Sequence, residues 1–267
     1  MNTVKSILVL SVWLVAGQGL ATKAQAADGA VSGHVMVGAA FVPDYEGSQD
    51  YTAAPVAAAK VEYDGYYVET RGLGLRANLS PNRAFEIGPA ISFNGGRDDD
   101  VDNARVARMR EIDSTIEAGM FLKVPLRGLV SETDELAFNF DFLTDTGDSH
   151  EGYKIGFGPS YGFAATERLR LGASLSATYA SDDYTQTFFG VDADNAARSG
   201  LARYDAEGGI KDVGIGVNAM YSLTRNWGIT GMARYTQLVG DAADSPLVDQ
   251  EGSAGQAMVS LGVLYRF

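Results

Sequence analysis

Long runs in which apolar and polar residues alternate constrain the fold of this chain more than any other feature. At the C-terminal end, every second position is apolar and the positions between are mostly polar or small. The apolar set is Ala257, Val259, Leu261, Val263, Tyr265 and Phe267. Successive side chains of a strand point to opposite faces, so a period of two predicts a strand with one apolar face.

The same alternation recurs along the chain. Apolar faces of this kind consist of Leu169, Leu171, Ala173, Leu175, Ala177 and Tyr179, of Tyr153, Ile155, Phe157, Pro159, Tyr161 and Phe163, and of Val213, Ile215, Val217, Ala219 and Tyr221. These runs match the roughly 9 to 11 residues of a tilted transmembrane strand and exceed the roughly 5 or 6 of a usual soluble strand. Because lipid does not tolerate unpaired backbone groups, such strands must close into a barrel. The sequence therefore predicts an all-β fold, an antiparallel up-and-down transmembrane β-barrel.

The number of strands follows from the connections. Short turns, as at residues 80–83, 165–167 and 223–226, alternate with long polar loops near 95–111, 181–209 and 241–253. Outer-membrane barrels have short periplasmic turns and long external loops, and two periplasmic chain ends require an even number of strands. Eleven segments are visible, and the missing boundary is expected between residues 41 and 79. We expect 12 strands, with 10 as the alternative.

The first 26 residues have the pattern of a secretory signal peptide. Lys5 precedes an apolar run over residues 7–16, and an A-x-A cleavage site follows at Ala24, Gln25 and Ala26. A transmembrane anchor is the alternative, but the run is about half of the roughly 20 residues that a membrane-spanning helix needs. We expect a signal peptide at residues 1–26 and the barrel at residues 27–267.

Charge and cysteine content exclude several classes of function. The formal net charge is -13, and the predicted cleavage removes two further positive charges, Lys5 and Lys23. A field of this sign repels nucleic acid and argues against binding of phosphate groups. The chain has no cysteine, so an exported protein of this composition is held by its backbone ladder and its packing rather than by disulfides.

The two histidines are the first candidates for catalysis. His34 lies in the polar phase of the first strand and is expected to face the lumen. There it could serve a barrel hydrolase as a base, provided that a nucleophile or an acidic partner lay at the same height. His150 lies in a polar loop and is expected to be solvated. No matching motif accompanies either residue, so we predict no enzyme activity, no catalytic residue and no cofactor.

Charged residues fall into two groups. Arg168, Arg170 and Glu117 occupy the polar phase of strands and are expected in the lumen. The acidic residues near 98–102, 182–183 and 241–251 belong to loops, where they indicate either a divalent-cation site that bridges lipopolysaccharide phosphates or plain solvation. Because no segment has the spacing D-x-[DN]-x-[DN]-G, solvation is favoured and no metal site is predicted.

Motifs in the loops give the sequence a family resemblance. The motifs are Pro43-Asp44-Tyr45-Glu46-Gly47-Ser48, Phe188-Phe189-Gly190-Val191, Ala197-Arg198-Ser199-Gly200-Leu201 with Tyr204, and Asp244-Ser245-Pro246-Leu247-Val248. They resemble the MltA-interacting protein (MipA/OmpV) family, and the ending Tyr265-Arg266-Phe267 resembles the assembly signal of outer-membrane barrels. The resemblance implies a non-enzymatic protein in the outer membrane of a Gram-negative bacterium.

Two roles are implied by this resemblance. One is a scaffold that links a membrane-bound lytic transglycosylase to a bifunctional peptidoglycan synthase in cell-wall turnover. The other is a porin-like channel or receptor for small-molecule uptake or stress response. Outer-membrane lipid and lipopolysaccharide are expected neighbours in both cases. A scaffold requires exposed apolar residues on the periplasmic turns, where the candidates are Leu126, Arg127, Gly128, Leu129 and Val130; a channel requires an open lumen, and a hydrolase requires a Ser or Asp beside His34.

Three residues of the loop motifs are candidate site residues: Arg198, Tyr204 and Asp244. We expect them to hold the long loops in one conformation by hydrogen bonds and charge pairing, since a loop of this length loses much conformational entropy when it is ordered. Direct contact with a ligand is the alternative.

Overall fold

The alternating runs form the wall of a closed antiparallel barrel in the computed structural model, which describes residues 31–267. The strands are β1 (Ser32–Pro43), β2 (Tyr51–Tyr63), β3 (Tyr66–Arg71), β4 (Gly74–Asn78), β5 (Glu86–Asn94), β6 (Thr115–Arg127), β7 (Glu135–Asp145), β8 (Tyr153–Ala164), β9 (Leu169–Ala180), β10 (Gly209–Ser222), β11 (Trp227–Leu238) and β12 (Gly255–Arg266). The prediction of 12 strands is confirmed, and the alternative of 10 is wrong. The predicted signal peptide lies outside the described residues.

The barrel closes between its first and last strands. Strand β1 pairs with β12 from His34↔Arg266 to Phe41↔Val259, and every other strand pairs with its neighbours in sequence. Gly33 and Phe267 exchange backbone hydrogen bonds of 3.2 and 3.1 Å. The start of β1 and Phe267 therefore lie at the same end of the barrel, together with the short connections. We call this the turn end and the opposite end the loop end.

The two phases of each strand separate as predicted. On β12, the apolar Leu261 is 65% exposed on the outside, whereas Gln256 and Met258 face the lumen and are almost fully buried. Outward aliphatic and aromatic side chains recur around the wall, which gives it the apolar surface that a lipid bilayer requires.

One β-bulge breaks the strict alternation. The register between β10 and β9 shifts between Ile210 and Asp212, so that Lys211 and Asp212 both turn inward and both are buried. A bulge adds one residue to one strand and re-aims the side chains beside it. Lys211, which a strict period of two would place outside, therefore lies in the lumen.

The uncertain region of the sequence contains the shortest strands. Strands β3 and β4 have 6 and 5 residues and form a hairpin with its tip at Gly72 and Leu73. Neither is long enough to display a period of two, which explains why the sequence shows one strand boundary too few.

The long loops carry the helices. These are α1 (Asp182–Phe189), α2 (Ala193–Ser199), α3 (Gly240–Asp244), α4 (Pro246–Asp249) and a 3₁₀ turn (Val106–Arg108). Side chains begin three of them: Ser181, Asp192 and Ser245 accept hydrogen bonds from backbone N–H groups of the first turn of α1, α2 and α4. Within residues 31–267, no helix is long and apolar enough to cross a membrane.

Candidate functional site

The loop end of the barrel is covered by a cap with its own hydrophobic core. We define the cap as residues 44–50, 95–114, 146–152, 181–208 and 239–254. Its buried apolar side chains come from four of these segments and from the strand ends: Tyr45, Val106, Met109, Ala180, Tyr184, Phe188, Phe189, Val191, Leu201, Ala206, Leu238, Ala242, Leu247 and Val248. Because the segments share one core, they cannot move apart independently.

Polar contacts tie the cap segments to each other. The guanidinium of Arg105 donates to the carbonyls of Ser199 (3.1 Å) and Gly200 (2.6 Å) and to the Glu251 carboxylate (2.6 Å). The Ser245 hydroxyl donates to the Phe189 carbonyl at 2.5 Å. These contacts join the loop at 95–114 to both long loops, and the two long loops to each other.

The three loop residues selected from the sequence differ in the contacts that they make. Tyr204 lies between the long loops, since its backbone bridges Val191 and its hydroxyl donates to the Asp241 carbonyl at 3.1 Å. Arg198 is exposed on α2 and pairs with Asp194 one turn earlier, at 2.8 Å, so its charge pair lies within one loop. Asp244 is exposed at the end of α3. Its neighbour Asp241 holds the loops instead, accepting the Glu207 N–H at 2.7 Å.

Arg105 and Arg198 form a matched pair for a test of the cap. Arg105→Ala removes charge-assisted hydrogen bonds to two other segments, which contribute about 1.5 kcal/mol after allowance for partial exposure. We expect proteinase K to cleave the cap of this variant about ten-fold faster than that of the unmodified protein. Arg198→Ala removes an exposed pair within one helix, so its cleavage rate is expected to change less than about two-fold. Equal rates for the two variants would contradict this assignment.

Charged groups are buried directly beneath the cap. Glu117 on β6 accepts from Lys154 at 2.9 Å and lies 3.2 Å from the His150 imidazole. The expectation that His150 is solvated is wrong, since it is 3% exposed and its ring contacts those of Tyr184 and Phe188. The hydrophobic residues of α1 create this burial, and they are far from His150 in sequence.

A second buried charge group joins the cap to the wall. Lys211 on β10 donates to Asp212 at 2.6 Å and also to Glu46, and the Tyr184 hydroxyl donates to the other oxygen of Glu46 at 3.0 Å. Burial and the Glu46 carboxylate raise the pKa of Tyr184 well above its ordinary value, so this hydroxyl keeps its proton and remains a donor.

The remaining lumenal candidates lie nearer the turn end. His34 faces the lumen as predicted, but no Ser or Asp side chain of the described residues hydrogen-bonds to it. Glu69 and Ser260 line the same cavity as His34. Arg170 lies in the lumen near its rim, 3.4 Å from the Thr133 carbonyl. The prediction that Arg168 lies in the lumen is wrong, because this residue precedes β9 and is exposed in the turn.

At the turn end, the last residues of β6 and the connection to β7 present exposed apolar side chains. We call Leu126, Leu129 and Val130 the turn patch; they are 43%, 55% and 85% exposed. The buried carboxylate of Asp134 accepts the N–H groups of Leu129 and Val130, each at 2.8 Å. It also accepts the Ser131 N–H and the Tyr161 hydroxyl, at 3.1 and 2.8 Å. The patch is thus exposed but fixed in one conformation, and the sequence contained Asp134 without showing this role.

Comparison with known proteins identifies the family to which this barrel belongs. The family model for MltA-interacting protein MipA matches residues 35–267, which is nearly the whole described chain. The chain belongs to the MipA family. Its relative OmpV, an outer membrane protein of Vibrio cholerae, is 26% identical over 98% of this chain and 99% of that protein. The MltA-interacting protein of Escherichia coli is 28% identical over 37% of this chain and 38% of that protein.

Among solved structures, an outer membrane channel from Pseudomonas putida F1 covers 89% of this chain and 95% of its own at 11% identity and a TM-score of 0.45. OmpV and a second relative that matches over nearly its whole length, Omp26La of Vibrio anguillarum (26% identical over 98% of this chain and 99% of that protein), are outer membrane proteins of Gram-negative bacteria. This MipA-family barrel therefore lies in the outer membrane. Its turn end faces the periplasm and its cap faces the outside of the cell.

The turn patch of this MipA-family protein is expected to loosen in acid. Burial of Asp134 would raise its pKa, but the Tyr161 hydroxyl and the backbone N–H groups hold that pKa below its ordinary value of about 4. A lowered folded-state pKa stabilises the turn above pH about 4, and this contribution is lost as the pH falls through the folded value. A nitroxide on Val130→Cys should be ordered at pH 7 and become mobile as the pH falls through the folded-state pKa of Asp134. Adding Asp134→Asn should make it mobile at pH 7 as well, and order at pH 7 in that variant would contradict the assignment.

Proposed function

We propose that this protein is a non-enzymatic scaffold of the outer membrane that holds a membrane-bound lytic transglycosylase on its periplasmic turns. The observation that carries the proposal is the turn patch, in which Leu129 and Val130 are exposed to the periplasm and fixed by Asp134. Exposed apolar side chains on a rigid turn favour association, because little conformational entropy is lost on binding.

The cap supports a scaffold over an uptake route. A channel needs a path from the outside into the lumen, whereas here four cap segments share one hydrophobic core above the barrel. Beneath this core, the ion pairs of Glu117 with Lys154 and of Lys211 with Asp212 occupy lumenal space. Material that entered from outside would have to displace both layers.

The identity of the partner is suggested by the relatives. The Escherichia coli relative is named for an interaction with MltA, and the family model carries the same description. A scaffold in cell-wall turnover would join this lytic transglycosylase to a bifunctional peptidoglycan synthase, so that cutting and synthesis of peptidoglycan are coupled. The outward apolar wall is in contact with outer-membrane lipid and, on the external leaflet, lipopolysaccharide.

The porin-like alternative has one observation in its favour. The lumen contains a cavity lined by Arg71, Asp141 and Lys154, which are residue types that line conducting pores. A channel or a receptor for a small-molecule ligand would use this space.

One experiment separates the two roles. The purified protein is reconstituted in planar bilayers, and the same preparation is passed over immobilised lytic transglycosylase and peptidoglycan synthase. The scaffold predicts capture by the transglycosylase and no steady conductance. Steady conductance without capture would establish the channel and refute the scaffold.

A further inference from the structure

The barrel wall has a notch between β2 and the tip of the β3–β4 hairpin. Strand β2 pairs with β1 along its whole length from Tyr51 to Tyr63, but its pairing with β3 covers only Lys60↔Glu69 to Tyr63↔Tyr66. Among residues 31–267, no strand pairs with the other edge of β2 over residues 51–57. We define the notch by this edge and by the hairpin tip, Gly72 and Leu73.

Backbone groups point into this notch. The Ala59 N–H donates to the Thr70 hydroxyl on β3, so the odd-numbered residues of β2 direct their N–H and C=O groups toward the hairpin side. From Ala59 toward the loop end, these residues are Ala57, Pro55 and Ala53. Pro55 has no N–H to donate, and proline within a strand usually occurs at such unpaired edges.

A second proline weakens the other flank of the hairpin. The Phe93 N–H donates to the Leu73 carbonyl, so the odd-numbered residues of β5 face β4. Pro89 is one of these residues and cannot donate to β4, and the pairing of β4 with β5 ends one position earlier, at Arg76↔Ala90. The hairpin is therefore attached by four residue pairs to β2 and by three to β5, far fewer than between the long strands.

The notch lies at the depth of the hydrocarbon. Tyr51 stacks on Phe41 at the loop end with ring centroids 5.2 Å apart, and Tyr63 and Tyr66 mark the turn end. Aromatic side chains of this kind form the interfacial girdles of a membrane barrel. Residues 53–57 lie between the girdles on the external side, where unpaired backbone groups are costly unless a polar partner meets them.

The lumenal cavity lined by Arg71, Asp141 and Lys154 extends to the hairpin tip, where outward-facing residues also line it. It has a volume of about 70 Å³, room for a small polar group, and it is lined by the outward Leu73, Leu75 and Ile91 and by the lumenal Asp141 and Thr178. Oδ2 of Asp141 is buried and has no hydrogen-bond partner among the described residues. An acceptor in this position matches a donor that the protein does not supply.

We propose that the notch is a lateral binding site for an amphiphile. Its hydrocarbon chain lies against β2 in the external leaflet, and its small head group passes the hairpin tip and donates hydrogen bonds to Asp141. The charges around Asp141 are mixed, because Arg71 and Arg76 act on it electrostatically and Arg76 pairs with Glu69 at 2.5 Å. Arg71, Arg76 and Lys154 line the same cavity as Asp141, so the charge of a head group also affects its binding. The role of the hydrogen-bond donor is therefore tested with two probes of equal charge.

Two probes with the same charge and tail test the role of the donor. Dodecylammonium donates N–H hydrogen bonds, whereas dodecyltrimethylammonium has none to donate. The chain has no cysteine, so Leu73→Cys carries a single bimane reporter in phosphatidylcholine nanodiscs, and Leu261→Cys on the fully paired β12 is the matched control. We expect a saturable emission change at position 73 with dodecylammonium, at least ten-fold weaker binding of the trimethyl probe, and no saturable change at position 261.

Asp141→Asn should reduce binding of dodecylammonium about ten-fold and remove the difference between the two probes, as expected for loss of a hydrogen bond to a charged acceptor. Heat-modifiable migration on gels shows whether this variant is folded. The proposal is overturned if position 261 responds like position 73, if the trimethyl probe binds equally well, or if folded Asp141→Asn binds unchanged.

Native mass spectrometry of protein extracted from outer membranes distinguishes the sources of the amphiphile. A bound lipid that is absent from Asp141→Asn would identify a membrane component. Protein that is extracted bare but binds dodecylammonium would indicate an amphiphile that arrives from outside. Bare protein that also fails to bind dodecylammonium would refute the site, and none of these three results depends on capture of a transglycosylase.

Discussion

Capture by the lytic transglycosylase is expected to fall at least a hundred-fold when Leu129 and Val130 are both replaced by aspartate. The two side chains are 55% and 85% exposed and form most of the turn patch. A charge placed at the centre of an apolar contact must be desolvated on binding without a partner, and each such replacement costs about 2 kcal/mol or more. The dissociation constant is measured by surface plasmon resonance against the immobilised enzyme.

The matched control lies on another periplasmic turn. Leu223 is 49% exposed in the connection between β10 and β11, and it is not part of the turn patch. Leu223→Asp makes a similar chemical change at the same end of the barrel, and we expect it to alter the affinity less than about three-fold. If Leu223→Asp and the double variant weaken capture equally, the turn patch is not the docking site.

Lys211→Met is expected to lower the free energy of unfolding by about 3 kcal/mol. Lys211 is almost completely buried and neutralises both Glu46 of the cap and Asp212 of the wall. Methionine fills the space of the aliphatic stem but leaves two carboxylates in a water-poor site, and breaking a buried pair on one side is the costly case. Urea unfolding of the reconstituted barrel, followed by heat-modifiable migration, measures the change.

Removal of all three charges is the control for this variant. Lys211→Met combined with Glu46→Gln and Asp212→Asn leaves no uncompensated charge, and the Tyr184 and Thr178 hydroxyls remain as donors to positions 46 and 212. We expect this triple variant to recover most of the lost stability. A triple variant as unstable as Lys211→Met would show that shape, and not charge compensation, is the contribution of Lys211.

The sequence was sufficient for the barrel because its signal is local. The alternation from Leu169 to Tyr179 or from Ala257 to Phe267 reflects two solvents on two faces of one strand, and lipid outside with polar groups inside impose it residue by residue. The limit of this reasoning is visible at β3 and β4, whose 6 and 5 residues are too few to show a period.

The candidate sites were predicted less completely. Tyr204 was selected for a loop-holding role and makes such contacts, whereas Arg198 and Asp244 are exposed and Arg105 and Asp241 hold the loops. The difference depends on which loop lies opposite, over separations such as the 146 residues between Arg105 and Glu251. No spacing along the chain encodes a partner at that distance.

The amino-acid sequence by itself determined the fold class, the outward and lumenal faces of the long strands, the positions of the turns and loops, and the turn that bears the apolar patch. Each of these follows from interactions within a few residues or with the surrounding solvent. Only the tertiary structure decided that the loops close into a cap, that His150 is buried, that a bulge turns Lys211 inward and that the wall is notched beside β2. These features arise from long-range packing and strand register, in which residues distant in sequence become neighbours and local patterns carry no information.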